Sequence, residues 1–267
     1  MQEKNDVIGL GNIVPKVKLL ERTERGVNKT YHGFIQTDTE QIKAYIKLLD
    51  GRQLVNELLA NMLGRRCGMP VPKGYLIRAR PSDLDPAPII SGAATEFLMY
   101  GSSDEGIPSL KRCVETKVLR QSGVYDRWEG LAAAATFDDW IANSDRHTGN
   151  LLVGTAESIW LIDHGHAFTG SNWTAANLAD PAREYSNQLG AHLRSMAQAK
   201  RDAAYIKSTE CIKDIGAVDV EQAAMRGQLT SEFNLVTDAD RLILLEFVRS
   251  RVAYLLPIVK KRLGCLI

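Results

Sequence analysis

The chain has 267 residues, a length that supports one large core or two smaller ones sharing a cleft, so we expect two lobes. Its 33 Lys and Arg residues nearly balance 32 Asp and Glu residues, which argues against a global positive field for nucleic acid or an anionic membrane. The four cysteines form no C-x-x-C pair, which indicates a reducing, cytoplasmic setting, and the lack of a long apolar run predicts no signal peptide and no membrane span.

The first hundred residues are expected to form strands and one helix. The stretch QIKAYIKLL (41–49) alternates apolar and polar side chains, the period of a half-buried strand. The stretch GRQLVNELLANMLGRRCGMPVP (51–72) repeats apolar residues at helical spacing and then meets Gly68 and Pro70, which indicate a helix C terminus. Further strands are predicted at 17–20, 31–35, 73–79 and 93–101, a Pro-rich loop at 80–92, and an interlobe linker at 101–109.

Beyond residue 110 the pattern becomes helical. Residues 127–143 are Ala-rich with apolar side chains at helical spacing, and this predicts a helix that ends near Asn143. NLLVGTAESIWLID (150–163) reads as a short β-hairpin. The last helix is predicted at 237–264, with a capping box at Thr237 and Asp240 and a kink at Pro257.

Three oxygen-bearing side chains flank this hairpin. Asp145 and Asn150 precede its first strand and Asp163 follows its second, so the antiparallel pairing should bring all three to the same end. Carboxylate and carboxamide oxygens suit Mg²⁺. The order D-x-x-x-x-N and then D-x-G is typical of protein kinases, in which the first Asp (here Asp145) accepts the proton of the acceptor hydroxyl. Asn150 and Asp163, with Gly165 after it, would hold Mg²⁺ on ATP.

A kinase site also needs a cation on a strand and an acid on the following helix. Lys47 ends the strand motif AYIK on the face opposite Ile46, and Glu57 lies in the next helix, beside its apolar stripe. Each residue alone is a weak signal, because surface lysines and solvated helix glutamates are common. The ordered set Lys47, Glu57, Asp145, Asn150 and Asp163 is much harder to obtain by accident.

These motifs carry a family resemblance. SDRHTGNLLV with WLIDHGHAF resembles the catalytic and metal-binding loops of the phosphatidylinositol 3/4-kinase-like group, and YIKLLDGRQLVNELLANMLGRRCGMPVP resembles HipA-type bacterial kinases. The resemblance implies an α+β, two-lobed protein-kinase-like fold. The expected small β-rich lobe with one helix spans residues 1–100, and the larger, mainly helical lobe spans 101–267. ATP and Mg²⁺ are the implied cofactors, with Lys47 on the ATP phosphates and Glu57 orienting Lys47.

The resemblance also implies nucleotide contacts. Backbone groups of Glu96, Phe97 and Leu98 would hold the adenine. The phosphate-covering loop would fall in TERGVNK, which offers Gly26, Asn28 and Lys29 but lacks the G-x-G-x-x-G pattern. Two further departures are that no A-P-E motif follows Asp163 and that the chain is shorter than typical HipA proteins.

The implied reaction is transfer of the γ-phosphate to a Ser or Thr hydroxyl of a protein. From His147 to Ala182 the chain has no Lys or Arg, although it contains 33 in total, which favours a neutral polypeptide over a phosphorylated lipid head group. The resemblance allows a role as the toxin of a toxin–antitoxin module, with an antitoxin or another regulatory protein as the candidate partner. Because the chain is shorter than typical HipA proteins, an antitoxin of the usual kind cannot be assumed.

Three alternatives remain open at this level. The first is a phosphatidylinositol-type lipid kinase, because unphosphorylated phosphatidylinositol fits the same segment. The second is a metal-dependent hydrolase that uses the Asp/His cluster of Asp145, His147, Asp163, His164 and His166, since imidazole with carboxylate suits zinc, manganese or iron. The third is a non-catalytic nucleotide-binding module, although such relatives usually lose the base or a metal ligand.

Overall fold

The computed structural model describes residues 7–15, 17–19, 29–88, 95–115, 121–154 and 158–264. Both helices and strands are present, so the fold belongs to the mixed α+β class. Of the helices in these ranges, none combines the length and the apolar surface needed to cross a membrane.

Most strands belong to one seven-stranded sheet with the order β1-β5-β7-β4-β3-β2-β6. Because β1 pairs in parallel with β5 and also antiparallel with β3, the sheet closes into a barrel. Alternate side chains of β4 and its neighbours fill the interior, where they form an apolar core of their own. The strands are β1 (Gly9–Ile13), β2 (Val17–Leu19), β3 (Lys29–Gln36), β4 (Gln41–Leu48), β5 (Gly74–Ala79), β6 (Leu84–Asp85) and β7 (Phe97–Ser103).

Helix α1 (Gly51–Arg66) packs against the outside of this barrel. The Asp50 carboxylate caps its N terminus by accepting from the amide of Gln53 at 2.8 Å. Gly68 has φ +71°, a left-handed conformation that suits glycine after a helix end, as the sequence predicts. Residues 53–64 are all buried, because the helix lies between the sheet and the rest of the chain.

The remaining elements are mainly helical. A second large core joins α1 to these helices, and the hairpin β8–β9 lies at its edge, with Leu151 opposite Leu161. The elements are α2 (Leu110–Glu115), α3 (Gln121–Arg127), α4 (Leu131–Trp140), β8 (Leu151–Val153), β9 (Ile159–Leu161), α5 (Gln188–Ser195), α6 (Gln198–Gly216), α7 (Val220–Arg226) and α8 (Asp238–Leu263).

Several boundaries differ from the sequence predictions. Strand β1 was not predicted, because a five-residue strand carries little periodic signal and pairs only with distant strands. Within the predicted Pro-rich loop, Pro81–Asp83 form a 3-10 turn that leads into β6. Helix α4 begins after Gly130, so Arg127 belongs to the separate helix α3. At the other end of the chain, Thr237 caps α8 as predicted.

Candidate active site

Lys47 and Glu57 form an ion pair between β4 and α1. The Lys47 Nζ lies 2.7 Å from Glu57 Oε1, and the Glu57 side chain is only 1% exposed. The other carboxylate oxygen, Oε2, accepts from the backbone amide of His164 at 3.0 Å. A buried carboxylate is costly unless both oxygens are paired, and here they are.

The same ammonium also contacts Asp163. Lys47 Nζ lies 3.0 Å from Asp163 Oδ1, so one cation bridges two carboxylates. Burial alone would lower the pKa of Lys47, but Asp163 and Glu57 outweigh it and raise that pKa. Lys47 lowers the pKa of Asp163, whereas burial raises the pKa of Glu57 despite the ion pair. Asp163 is therefore the carboxylate held ionised at the cavity, with its side chain 42% exposed.

A buried arginine joins the loop before β8 to the segment that carries Asp163. The Arg146 guanidinium donates to both oxygens of Asp138, Nε at 3.0 Å and Nη2 at 2.9 Å. Its Nη1 donates to the backbone oxygens of Asn150 at 3.0 Å and Ile162 at 2.6 Å. Since Ile162 precedes Asp163 directly, this one side chain fixes the spacing between the loop and Asp163.

Asp145 and Asn150 are held by their own loop. The Asn150 side-chain amide donates to the backbone oxygen of Asp145 at 2.8 Å, which leaves its carbonyl oxygen as the atom suited to a cation. The Asp145 amide in turn donates to Asn143 Oδ1 at 3.2 Å. Asp163 has φ +63°, a left-handed conformation that is strained for an Asp and directs the chain sharply away from β9.

Lys47 and Asp163 line a cavity of about 900 Å³, a volume large enough for a nucleotide, whereas Glu57, Asp145 and Asn150 are not among its lining residues. One wall is formed by β3 and β4, and the opposite wall includes Leu152 and Leu161 of the hairpin. Lys47, Asp163 and His164 line its deep end. The structure therefore brings Lys47, Glu57 and Asp163 into direct contact and ties Asn150 to Asp145, which joins the five residues of the sequence motif into two connected groups.

The predicted adenine contacts at Glu96, Phe97 and Leu98 are misplaced relative to this cavity. The described lining residues of β7 and of the segment after it run from Tyr100 to Pro108. Glu96 instead lies 3.9 Å from Arg80 at the far end of the strand, where Phe97 pairs with Ala79. The sequence identifies the correct strand, but only the pairing register shows which end faces the cavity.

Of the three predicted phosphate-loop residues, the structure describes only Lys29. Gly26 and Asn28 lie outside the described residues. Lys29 begins β3 with an exposed side chain, and its strand neighbour Thr30 lines the cavity instead. Thr30 is the partner of Lys47 in the β3–β4 register, which explains its position on the same face.

Sequence reasoning missed a polar cluster at the outer end of the cavity. The His32 ring stacks on Tyr45 with centroids 4.5 Å apart, and His32 Nε2 lies 2.8 Å from Asp104 Oδ2. Lys43 Nζ contacts the same carboxylate at 3.2 Å, and the Gly106 amide donates to its other oxygen at 2.8 Å. The available signal was the period of β4, because Lys43 and Tyr45 share a face with Lys47.

The histidines do not assemble as the hydrolase hypothesis requires. His164 is buried against Phe137 and Glu57, and burial lowers its pKa well below the usual range. The Nδ1 atom of exposed His147 accepts from the Gly149 amide at 2.9 Å. Within the described ranges, no three His, Cys, Asp or Glu side chains come together as a metal-binding group. The ring of His164 packs against Phe137 and also lines the cavity, and the described residues give it no group of metal-binding partners.

Comparison with known proteins agrees with this geometry. The model of the HipA-like kinase family matches residues 17–192, and the chain therefore belongs to that family. The matched range contains Lys47, Glu57, Asp145, Asn150 and Asp163.

A solved structure also resembles the chain. This is the crystal structure of a Helicobacter pylori proinflammatory kinase, CtkA, with a TM-score of 0.52, 12% sequence identity, and an alignment that covers 95% of this chain and 100% of that one. At this identity the likeness shows a shared fold. No curated protein matches the sequence.

Proposed function

We propose that this protein transfers the γ-phosphate of ATP to a Ser or Thr hydroxyl of a protein. The observation that carries the proposal is the Lys47 ammonium, which lies between Glu57 and Asp163 at the deep end of a nucleotide-sized cavity. A cation held by one buried and one cavity-facing carboxylate is placed to meet phosphate oxygens.

Asp163, which lines the cavity, and Asn150, whose backbone Arg146 joins to that of Ile162, also suit Mg²⁺. Asp163 offers an ionised, partly exposed carboxylate, and Asn150 offers a carbonyl oxygen, both hard donors. When bound, Mg²⁺ would neutralise charge on the ATP phosphates and on the transferred group. In this reading Lys47 orients the phosphates, Glu57 holds Lys47 in place, and Asp145 accepts the proton of the acceptor hydroxyl.

We further propose a two-lobed organisation around this cavity. The barrel and α1 would form the small lobe, and the helices with the hairpin β8–β9 would form the large one. A division at residue 100 falls inside β7, which continues to Ser103, so we place the boundary after that residue. The segment that follows, Asp104 to Pro108, lines the cavity and would serve as the interlobe connection and adenine contact.

The acceptor is inferred from the charge of the segment that follows Asp163. No Lys or Arg occurs from His147 to Ala182, so nothing there would meet the phosphates of a phosphorylated inositol. The thiols of Cys67 and Cys211 are not in disulfides, which supports a cytoplasmic location. A toxin role with an antitoxin or other regulatory partner is the family-based part of the proposal.

The test is a label-transfer assay with the purified chain, radiolabelled ATP and Mg²⁺. One arm offers mixed phosphoinositide vesicles and the other offers bacterial lysate protein, with D145N as the inactive control in both. Labelled Ser or Thr in protein is the expected result. Labelled lipid with unlabelled protein would replace the proposal with a lipid kinase, and label in neither arm, without self-labelling, would contradict phosphoryl transfer altogether.

Growth measurements test the toxin role separately. Induced expression of the wild-type chain in bacteria should arrest growth, whereas D145N expressed to the same level should not. Equal growth of the two strains would contradict a toxin role without affecting the assignment of the kinase site.

A further inference from the structure

A buried asparagine next to Glu57 holds the segment that follows Asp163. The Asn56 side chain is 0% exposed, and its Nδ2 lies 2.9, 3.0 and 3.1 Å from the backbone oxygens of Gly165, Ala167 and Gly170. Its Oδ1 accepts from the indole Nε1 of Trp173 at 2.8 Å. One side chain therefore makes contacts along most of the segment from residue 165 to 173.

The chemistry of these partners requires an asparagine. An indole N–H can only donate and backbone oxygens can only accept, so the side chain between them must accept at one end and donate at the other. An ionised aspartate cannot donate, an aliphatic side chain can do neither, and a glutamine is one methylene longer. The orientation of the Asn56 amide is therefore fixed by its partners.

Trp173 is fixed from a second direction. The Arg52 guanidinium carbon lies 5.1 Å from the centre of the Trp173 ring, and Arg52 Nη2 lies 3.3 Å from Asp240 of α8. Arg52 and Asn56 are four residues apart on α1, so they share one face of the helix and hold the indole between them. The Trp173 side chain is buried, at 1% exposure, although its neighbours Asn172 and Thr174 are exposed.

Consecutive residues of α1 thus bind consecutive parts of the same segment. Glu57 accepts from the amide of His164 at 3.0 Å. Asn56 donates to backbone oxygens that follow it in the chain, the first of them that of Gly165. A rotation of α1 that carried Glu57 away from Lys47 would have to break the Asn56 bonds as well, because adjacent helix residues turn together.

We propose that Asn56 and Trp173 form a latch that holds α1 at the rotation where Glu57 binds Lys47. Asn56 is then a positioning residue, and the inference rests on the proposed kinase function of that pair. Displacement of Trp173 by an acceptor, a partner or a modification at the exposed residues beside it would release Glu57 and weaken the site. Trp173, which lies in the segment that should bind the acceptor, would thereby control how Glu57 holds Lys47 against the ATP phosphates.

A double-mutant cycle tests the latch through activity. W173F keeps most of the ring but removes the N–H, and N56A removes both ends of the contact. We expect W173F to lower kcat/KM for MgATP hydrolysis about tenfold, and the W173F E57Q protein to be less than about threefold worse than E57Q alone. Losses that multiply would overturn the proposal, since they would mean that Trp173 does not act through Glu57.

A matched control separates positioning from simple destabilisation. Trp140 is also fully buried, and its Nε1 donates to the backbone oxygen of Val248 at 2.9 Å, away from α1. W140F should lower the melting temperature as much as W173F does, but its effect on kcat/KM should multiply with that of E57Q. A W140F protein that behaves like W173F in the cycle would also overturn the proposal.

Hydrogen exchange gives a readout that needs no activity. In W173F and N56A, amide exchange should accelerate both in residues 163–173 and in the part of α1 around Glu57, whereas W140F should affect α4 and α8. Faster exchange confined to 163–173 would contradict the latch. If the wild-type protein neither binds nor hydrolyses MgATP, the proposed function fails, and the exchange result still decides whether the segment and α1 are coupled.

Discussion

At the residue scale, the site depends on a cation shared by two carboxylates in different surroundings. Glu57 is buried, and burial raises its pKa. Asp163 faces the cavity, and Lys47 lowers its pKa. Lys47 therefore pairs with both carboxylates, and it is the ionised form of Asp163 that this pairing favours. The same residue types would have no such division of roles on a solvated surface.

Removal of this cation should be costly in two ways. K47A leaves Glu57 buried without its partner, so we expect the free energy of unfolding to fall by about 3–5 kcal/mol. K47A and E57A should each lower kcat/KM strongly, and the double variant should be little worse than either, because the two side chains act as one unit. K261A is the control, since Lys261 pairs with Glu184, is 74% exposed and does not line the cavity. If the losses in kcat/KM of K47A and E57A multiplied in the double variant, Glu57 would not act through Lys47 and its assignment to the site would be wrong.

Substitutions of Asp163 and Asp145 should separate nucleotide binding from chemistry. D163N should abolish the Mg²⁺-dependent part of ATP affinity in a calorimetric titration, with an unchanged circular dichroism spectrum. D145N should leave ATP affinity nearly unchanged but lower turnover by about 100-fold or more, because the residue acts on the acceptor hydroxyl. Full ATP affinity of the wild-type protein in excess chelator would contradict the assigned metal site. Zinc or iron lost from D145N would instead support a hydrolase.

At the scale of elements, buried ion pairs join the helices around the loop that carries Asp145. Asp139 near the end of α4 accepts from Arg262 of α8 at 2.6 Å and from Asn187, the cap of α5, at 2.9 Å. Burial raises the pKa of Asp139 to about 6, although Arg262 opposes that shift. The ionised form of Asp139 is therefore less favoured in the folded protein than in the unfolded chain, even within this network.

This shift predicts a pH dependence of stability. Between the ordinary Asp pKa near 4 and the folded value of about 6, the folded state binds more protons than the unfolded state. The contribution of Asp139 to the free energy of unfolding should therefore decrease as pH rises through that window, by up to about 3 kcal/mol. Urea unfolding of wild-type and D139N proteins from pH 4 to 7 measures it, because the difference between the two curves removes the other carboxylates. A difference that is constant with pH would contradict the raised pKa.

At the scale of the whole molecule, the N-terminal strand region connects the barrel to the helices. The Ile8 amide donates to the backbone oxygen of Arg226 at the end of α7, at 2.9 Å, and its own oxygen accepts from Gln228 at 2.9 Å. The Ile8 side chain, 1% exposed, belongs to the helical core although β1 begins at the next residue. The first strand of the barrel is thus anchored to helices more than 200 residues later in the chain.

Truncation of this anchor should weaken both parts together. I8A should lower the free energy of unfolding by about 2–4 kcal/mol, the range for loss of a buried Ile side chain. V7A should change it by less than about 0.5 kcal/mol, since Val7 is 42% exposed. Circular dichroism and tryptophan fluorescence should report one coincident transition in urea. Two separate transitions would show that the barrel unfolds independently of the helices.

The sequence by itself determined the elements whose periodic pattern is local. The strand 41–49, the helix after it and the hairpin around Asp145, Asn150 and Asp163 follow from apolar spacing and from turn residues. The membership in the HipA-like kinase family could also be inferred from the order of these motifs. Such features depend on residues close together in the chain, where a single sequence carries the signal.

Only the tertiary structure decided the features that depend on distant pairing. Barrel closure by β1, the end of β7 that faces the cavity and the burial of Glu57 all depend on which elements lie opposite one another. The bond between Asn56 and Trp173 spans 117 positions of sequence, and no local period indicates it. A helix buried on most sides has no polar face to reveal its contacts, so the residues that position the site became visible only when the chain was folded.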